Sequence, residues 1–272
     1  MLGELATCGV ELPARAVTSV QALVARETTG KLRALAFITL GKLCLADEAL
    51  ARECVPAFGR ELSTATEAAV RSNVAVVMGD LCVRYTGVVE AYVPQLAQLI
   101  RDPVALVRKH ALTLLTRLLQ EDYIKWRGPL VFRFMAALAD ATPAVAQFAE
   151  YCLTKVLLLR YPLVVANNFV EALFVLNGCT EHGTFNNFEG RPEEAAAFVI
   201  TGVSGAAAEA RWRVYAPLLR SLTDEQKFAL TCSLTSDVLA AFVDGELAVP
   251  GAQVSAGAGE ARAGVLRDTL II

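Results

Sequence analysis

The sequence is 272 residues long, 55% hydrophobic and only 19% charged, which is material for a large core and excludes a disordered or collagen-like chain. Its formal net charge of −3 provides no global basic field, so contact with nucleic acid has to come from a local patch. No apolar run reaches the roughly 18 to 20 uninterrupted residues that a spanning helix needs, and no basic region precedes an apolar one at the N-terminus, so neither a membrane span nor a secretory address is expected.

Taken in chain order, Val17, Val20, Leu23 and Val24 follow breaks at Gly9 and Pro13 and predict a helix over 14–26. A second helix covers 31–45, and Asp47 opens a third to about Leu62, with interruptions expected at Pro56 and Gly59. The next runs over 66–85 and ends at Gly87; 88–101 follows, with Pro94 as a kink. Asp102 and Pro103 then cap a helix whose apolar positions Val104, Val107, Ala111, Leu114, Leu115 and Leu118 recur at three- and four-residue steps. Beyond it, 125–139 and 142–160 form another pair, in which Trp126, Leu130, Phe134 and Leu138 mark one buried face. Pro162 separates that pair from a helix to Leu176, and 177–191, rich in Asn and Gly, is a loop. Pro192 starts a helix to about Thr201, another covers 206–222, and a capping box of Thr223 with Gln226 opens one to Val243. Residues 246–272 are Gly- and Ala-rich and are expected to be a flexible tail or a truncated end.

The spacing inside 102–122 recurs on both sides of it. Arg33, Arg71 and Arg108 follow one another at steps of 38 and 37, and Leu40, Met78, Leu115 and Leu153 at steps of 38, 37 and 38. Each of the second set is followed two residues later by a polar side chain, Lys42, Asp80, Arg117 or Lys155. A helical repeat of this length, with an aspartate before its second helix and a Val-Arg pair inside it, resembles HEAT repeats. The implied fold is all-α, an α-solenoid of HEAT-like helix pairs over 1–245, in which neighbouring pairs stack to bury a face that none buries alone. The apolar first segment carries no polar cap, so the chain reads as a piece of a longer solenoid.

Catalysis has no visible seat. There is no Gly-rich phosphate loop, no GxSxG and no paired carboxylate motif, and His110 has no carboxylate or cysteine spaced for a relay. Asp80 reads as a polar slot of the repeat. The seven cysteines are scattered without a CxxC pair, and His110 and His182 are the only histidines, so free buried thiols are expected, and no metal, cofactor or small-molecule substrate. The residues that stand out are basic. Between Arg101 and Arg133 seven basic side chains face three acidic ones, and Lys109, Lys125 and Arg127, with Arg117 and Arg133, are candidates for phosphate or an acidic partner. The HEAT resemblance implies a different role for Arg33, Arg71 and Arg108, which would hydrogen-bond to an aspartate of a neighbouring repeat.

Three segments carry a closer resemblance: RSNVAVVMGDLCVRYTGVVEAYVPQL, RDPVALVRKHALTLLTRLLQEDYIKWRGPLVFRF and YCLTKVLLLRYPLVVANNFVEALF are similar to the conserved region of the chromosome-condensation HEAT subunits. LLQEDYIKWRGPLVFRF, FNNF at 185–188 and LTDEQKF at 222–228 resemble the condensin II subunit more than its condensin I relative, and the likeness extends over about 67–245. It implies a non-catalytic subunit that grips a kleisin, meets an SMC ATPase and helps engage DNA or chromatin in the nucleus during mitosis, without membrane attachment. The repeat alone also permits a HEAT or armadillo adaptor in transport or phosphatase assembly.

Overall fold

In the computed structural model of the chain, residues 2–8, 13–25, 30–127, 129–186, 196–203, 205–247 and 256–272 are described, and every regular element among them is helical. The chain is all-α and divides into two units, Met1–Trp126 and Arg127–Ile272.

The first unit contains α1 (Leu2–Thr7), α2 (Ala14–Ala25), α3 (Gly30–Ala46), α4 (Glu48–Thr64), α5 (Ala68–Arg84), α6 (Thr86–Val89), α7 (Val93–Gln98) and α8 (Ala105–Gln120). Helix α3 packs on α5 and α5 on α8, so the second helices of successive repeats stack side by side. Their shared core position is occupied by Leu40, Met78 and Leu115, exposed by 3%, 0% and 0%. Polar ties run between the same helices: Tyr85 donates to the Leu45 carbonyl and Asn73 Nδ2 to the Ala34 carbonyl, both at 3.0 Å.

Glycines after two of these markers set the helix spacing. A Cβ on Gly41 would lie 2.5 Å from both Val77 methyls, and one on Gly79 would lie 2.1 Å from Leu114 Cδ1. Val77 and Leu114 are the residues just before the marker in the next helix, so a period in sequence becomes a close approach in space. Gly41→Val should therefore destabilise the first unit by about 1–3 kcal/mol through overpacking, more than the roughly 0.5–1 kcal/mol gained by removing a mid-helix glycine. A urea midpoint equal to the parent's would show that α3 and α5 are not held this close.

Two prolines behave differently from their expected roles. Asp47 caps α4 as anticipated, its Oδ1 accepting the Ala49 and Leu50 N–H groups at 2.9 and 3.3 Å. The helix then runs uninterrupted through Pro56 and Gly59. A proline inside a helix costs about 3 kcal/mol, but Val55, Phe58 and Leu62 around it are buried, and each large apolar side chain removed from water returns roughly 1.5–3 kcal/mol. Pro94, expected as a kink, stands at the start of α7, where a missing N–H breaks no hydrogen bond. The stretch 86–101 is consequently a series of short pieces joined by 3-10 turns.

The second unit contains α9 (Leu130–Ala137), α10 (Pro143–Glu150), a π-helical stretch Tyr151–Leu157 running into α11 (Leu158–Arg160), and α12 (Val164–Asn177). After the 178–186 loop come α13 (Ala206–Ser221), α14 (Asp224–Ser233), a second π-helical stretch Leu234–Leu239, α15 (Ala240–Val243) and α16 (Ala256–Ile271). In each π stretch a threonine hydroxyl donates to the carbonyl four residues back, Thr154 to Glu150 at 2.8 Å and Thr235 to Thr231 at 2.9 Å, competing with the α-helical ladder. The fourth marker, Leu153, lies in the first of these stretches and is fully buried. The capping box forms as read, with Gln226 N–H donating to Thr223 Oγ1 at 3.3 Å and Thr223 N–H to Gln226 Oε1 at 3.0 Å.

Three expectations in this half are corrected. The helix expected over 125–139 begins only at Leu130, with Pro129 at its N-cap, and the chain leaves α8 through Asp122 at φ 62°; Trp126 is therefore not on the face of Phe134. The expected helix from Pro192 starts outside the described residues, and 197–203 carry no helix. The Gly- and Ala-rich tail holds α16, which packs on α12 and buries Val265, Arg262, Asp268 and Thr269. Its small residues are what allow the approach: a Cβ on Gly264 would lie 2.1 Å from Asn177 Oδ1.

Candidate interaction surfaces

The repeat arginines sit early in second helices, where each can reach back to the turn before its own helix. Arg71 is the most enclosed in its unit. Its Nε and Nη2 donate to the two carboxylate oxygens of Asp102 at 2.6 and 2.9 Å, and its Nη1 donates to the Ala65 and Thr66 carbonyls, both at 2.9 Å. Asp102 also accepts the Val104 N–H at 2.8 Å, so one carboxylate shapes the turn before α8 and holds the previous repeat. Asp140 shapes the equivalent turn, accepting the Thr142 N–H at 2.7 Å. Arg33 pairs with Glu61 at 2.7 Å and donates to the Val24 carbonyl at 3.2 Å. Arg108 Nη1 donates to the Asp102 and Pro103 carbonyls at 2.7 and 3.2 Å.

The basic candidates are not equivalent. Lys109 is half-buried on α8, whereas Arg117, Lys125 and Arg127 are exposed. Arg117 lies 3.8 Å from Asp80 on the neighbouring helix and 3.5 Å from Glu121, and Lys125 lies 2.9 Å from Asp122. Burial raises the Asp80 carboxyl above its ordinary pKa, with Arg117 acting in the opposite direction. Arg133, expected at the surface, is instead buried on α9, its guanidinium 5.2 Å from the Phe198 ring centroid. Helix α9 is buried on nearly every side, from Leu130 through Met135, so that position has no solvent face to occupy.

Both histidines have defined polar neighbours. His110 is exposed, with Nδ1 2.6 Å from Ser72 Oγ. His182 belongs to a packed loop: its Nδ1 accepts the Thr184 N–H at 3.2 Å, its Nε2 lies 3.2 Å from the Asp237 carbonyl, and its ring contacts Phe174 and Phe185. Cys44, Cys54, Cys82, Cys152 and Cys179 are buried, and Cys8 and Cys232 exposed.

One polar centre falls outside the repeat pattern. Arg211 on α13 donates from Nε to Asp268 Oδ2 at 2.6 Å and from Nη1 to the Ile200 and Gly202 carbonyls at 2.8 and 2.6 Å. Asp268 Oδ2 also accepts from Asn177 Nδ2 at 3.0 Å and the Tyr215 hydroxyl at 3.1 Å. This is the chemistry of Arg71 over again, with a carboxylate on one side and turn carbonyls on the other. The separation of 57 residues between Arg211 and Asp268, against 31 between Arg71 and Asp102, hides it from a search at the repeat period.

Residues 69–189 match a family described as non-SMC mitotic condensation complex subunit 1, and residues 13–62 match one described as condensin-2 complex subunit D3-like HEAT repeats. Condensin-2 complex subunit D3-L of Xenopus laevis is 43% identical over 218 residues, covering 80% of this chain and 14% of that protein. Condensin-2 complex subunit CAP-D3 of Arabidopsis thaliana is 38% identical over 213 residues, 78% of this chain and 16% of that one. Condensin complex subunit 1 of Mus musculus is 32% identical over 120 residues, 44% of this chain and 8% of that one. The chain thus spans less than a fifth of the length of these relatives. Identity to the D3 subunits is both higher and nearly twice as extensive as to condensin subunit 1, and the chain belongs to the D3-type family of condensin II HEAT-repeat subunits.

Proposed function

We propose that this chain serves as a non-catalytic scaffold segment of the condensin II complex, acting in the nucleus on chromosomes. In this reading it binds the kleisin subunit and an SMC ATPase, and supports engagement of DNA in mitotic chromosome condensation; ATP is hydrolysed by the SMC partners. The observation that carries the reading is the identity to D3 subunits across four fifths of the chain. The stacked helices of the first unit fit it physically. Leu35 on α3, Val76 on α5 and Leu106 on α8 are exposed, which supplies apolar anchors on successive repeats for an extended partner segment. A pull-down against a kleisin fragment and an unrelated client of HEAT adaptors tests the reading. Capture of the kleisin alone is the expected result, and capture of only the adaptor client would move the chain to a transport or phosphatase assembly.

DNA contact is assigned to Lys109, Lys125 and Arg127, with Arg117 beside them in the basic segment, and not to the buried Arg133. Neutralising Lys109, Lys125 and Arg127 together should leave folding almost unchanged, since exposed pairs such as Lys125 with Asp122 contribute about 0–1 kcal/mol. The dependence of log affinity on log salt should become shallower by up to about 0.9 for each phosphate that the protein ceases to neutralise. Titrating duplex DNA at several salt concentrations measures that slope. An unchanged slope with affinity intact would remove these side chains from the DNA interface.

A further inference from the structure

A half-open cavity of about 670 Å³ lies within the second unit, between the start of α13 and the end of α16. That volume is in the range of roughly 300–1,000 Å³ typical of sites that hold a small ligand or a few side chains. Trp212, 43% exposed, and Ile271, 52% exposed, supply its apolar surface, and Arg213 and Arg267 its cationic one. We infer that this cavity is an anchor site for a short segment of a partner protein in which an acidic side chain adjoins an apolar one.

The grounds are chemistry and charge. Tryptophan, tyrosine and arginine are the side chains enriched where a few residues carry most of the energy of a protein interface, and Trp212, Tyr215 and two arginines meet here. Asp268 is also in the lining, but its carboxylate is already occupied by Arg211, Asn177 and Tyr215 and does not oppose an incoming anion. Arg213 is exposed and has no carboxylate partner among the described residues. Arg267 also lies 3.8 Å from Asp268 Oδ1, so Arg211, Arg213 and Arg267 together stand against Asp268 and Glu209; the excess of one positive charge favours an acidic side chain, while Trp212 and Ile271 take the apolar neighbour. A nucleic-acid strand is the less suited occupant, because the wall carries the Glu209 and Asp268 carboxylates beside its arginines rather than an unbroken basic groove that follows a backbone.

This inference rests on the scaffold reading, and the test separates the two. Trp212 is one of two tryptophans in the chain, with Trp126, so its emission, identified by its loss in Trp212→Phe, reports occupancy. The probes are a tryptophan-free peptide alternating acidic residues with leucine and phenylalanine, its counterpart with lysine at each acidic position, and a single-stranded DNA oligonucleotide. The acidic peptide should shift Trp212 emission and the lysine peptide should not. Arg213→Glu should weaken the acidic peptide by about tenfold or more, Arg213→Lys by much less, and Ile271→Glu should weaken it comparably to Arg213→Glu. All three positions are on the surface, and an unchanged thermal midpoint verifies the fold. No shift with the acidic peptide, a shift indifferent to charge reversal, or an equal shift with DNA each overturns the site. Kleisin capture that survives Arg213→Glu together with Ile271→Glu overturns the site as a partner anchor and leaves the scaffold reading standing, whereas failure of the parent chain to capture kleisin overturns the scaffold reading itself.

Discussion

Asp268→Ala should destabilise the second unit by about 3–5 kcal/mol, the cost of removing one member of a buried ion pair and leaving the other charged. The Arg211 side chain is 0% exposed and that of Asp268 4% exposed, so water cannot replace the missing partner. The substitution also strips acceptors from Asn177 and Tyr215. Urea unfolding followed through Trp212 measures the loss. Replacing both charges with apolar side chains, Arg211→Met with Asp268→Leu, should recover most of it, because paired removal leaves no orphaned charge. A single substitution costing less than about 1 kcal/mol would mean that the network is not enclosed in solution. Deleting 256–272 removes the same carboxylate together with the packing of α16 on α12, and should unfold the unit more completely than the point change. The network also has a pH signature. Burial, with the Asp268 charge next, raises the Tyr215 hydroxyl well above its ordinary pKa, so the folded unit holds that proton more tightly than the unfolded chain. This contribution is fully present below about pH 10, the ordinary tyrosine value, and is lost as pH rises through the higher folded value; Tyr215→Phe should flatten that alkaline decline.

Arg71→Ala should have the largest effect of any repeat-arginine substitution in the first unit, again about 3–5 kcal/mol. The Arg71 and Asp102 side chains are 10% and 2% exposed and meet through two parallel hydrogen bonds, a geometry that lysine cannot reproduce. Arg71→Lys should therefore rescue little. Asp102→Ala should cost as much, since it also removes the acceptor of the Val104 N–H in the turn before α8. Arg33→Ala should cost less, because Arg33 and Glu61 are each about one fifth exposed and solvent screens the pair. Arg108→Ala, which leaves the Asp102 and Pro103 carbonyls to find new donors, should cost about 1–3 kcal/mol. A double-mutant cycle on Arg71 and Asp102 that returns no coupling would separate the two residues energetically despite their pairing.

Local and periodic features are legible from the residues alone. Asp47 before α4, and Thr223 with Gln226 before α14, act through hydrogen bonds that close within three residues, so their caps are written in the sequence whatever the surroundings. The period carried by Leu40, Met78, Leu115 and Leu153 is equally visible, since a repeated core position must be apolar in every copy. Other features depend on partners distant along the chain. Pro56 reads as a break because its local cost is real, and only the packing of Phe58 against Phe37, with ring centroids 6.0 Å apart, shows what offsets it. Arg133 reads as available because charge is usually solvated, and the fold places it on Phe198 instead.

Residues 256–271 mark the division most sharply. Their glycines are poor helix formers and their small side chains give little periodic apolar signal, which is why a tail is the natural reading. The same small side chains let α16 approach Asn177, and Asp268 then finds Arg211 and Tyr215 across the unit. The sequence by itself determined the helical repeat, its period and its caps, because these depend on spacing and on bonds between near neighbours. Tertiary structure alone decided that α16 is ordered, which arginines are buried and where Trp212 stands, because burial and charge pairing are properties of residues brought together from far apart in the chain.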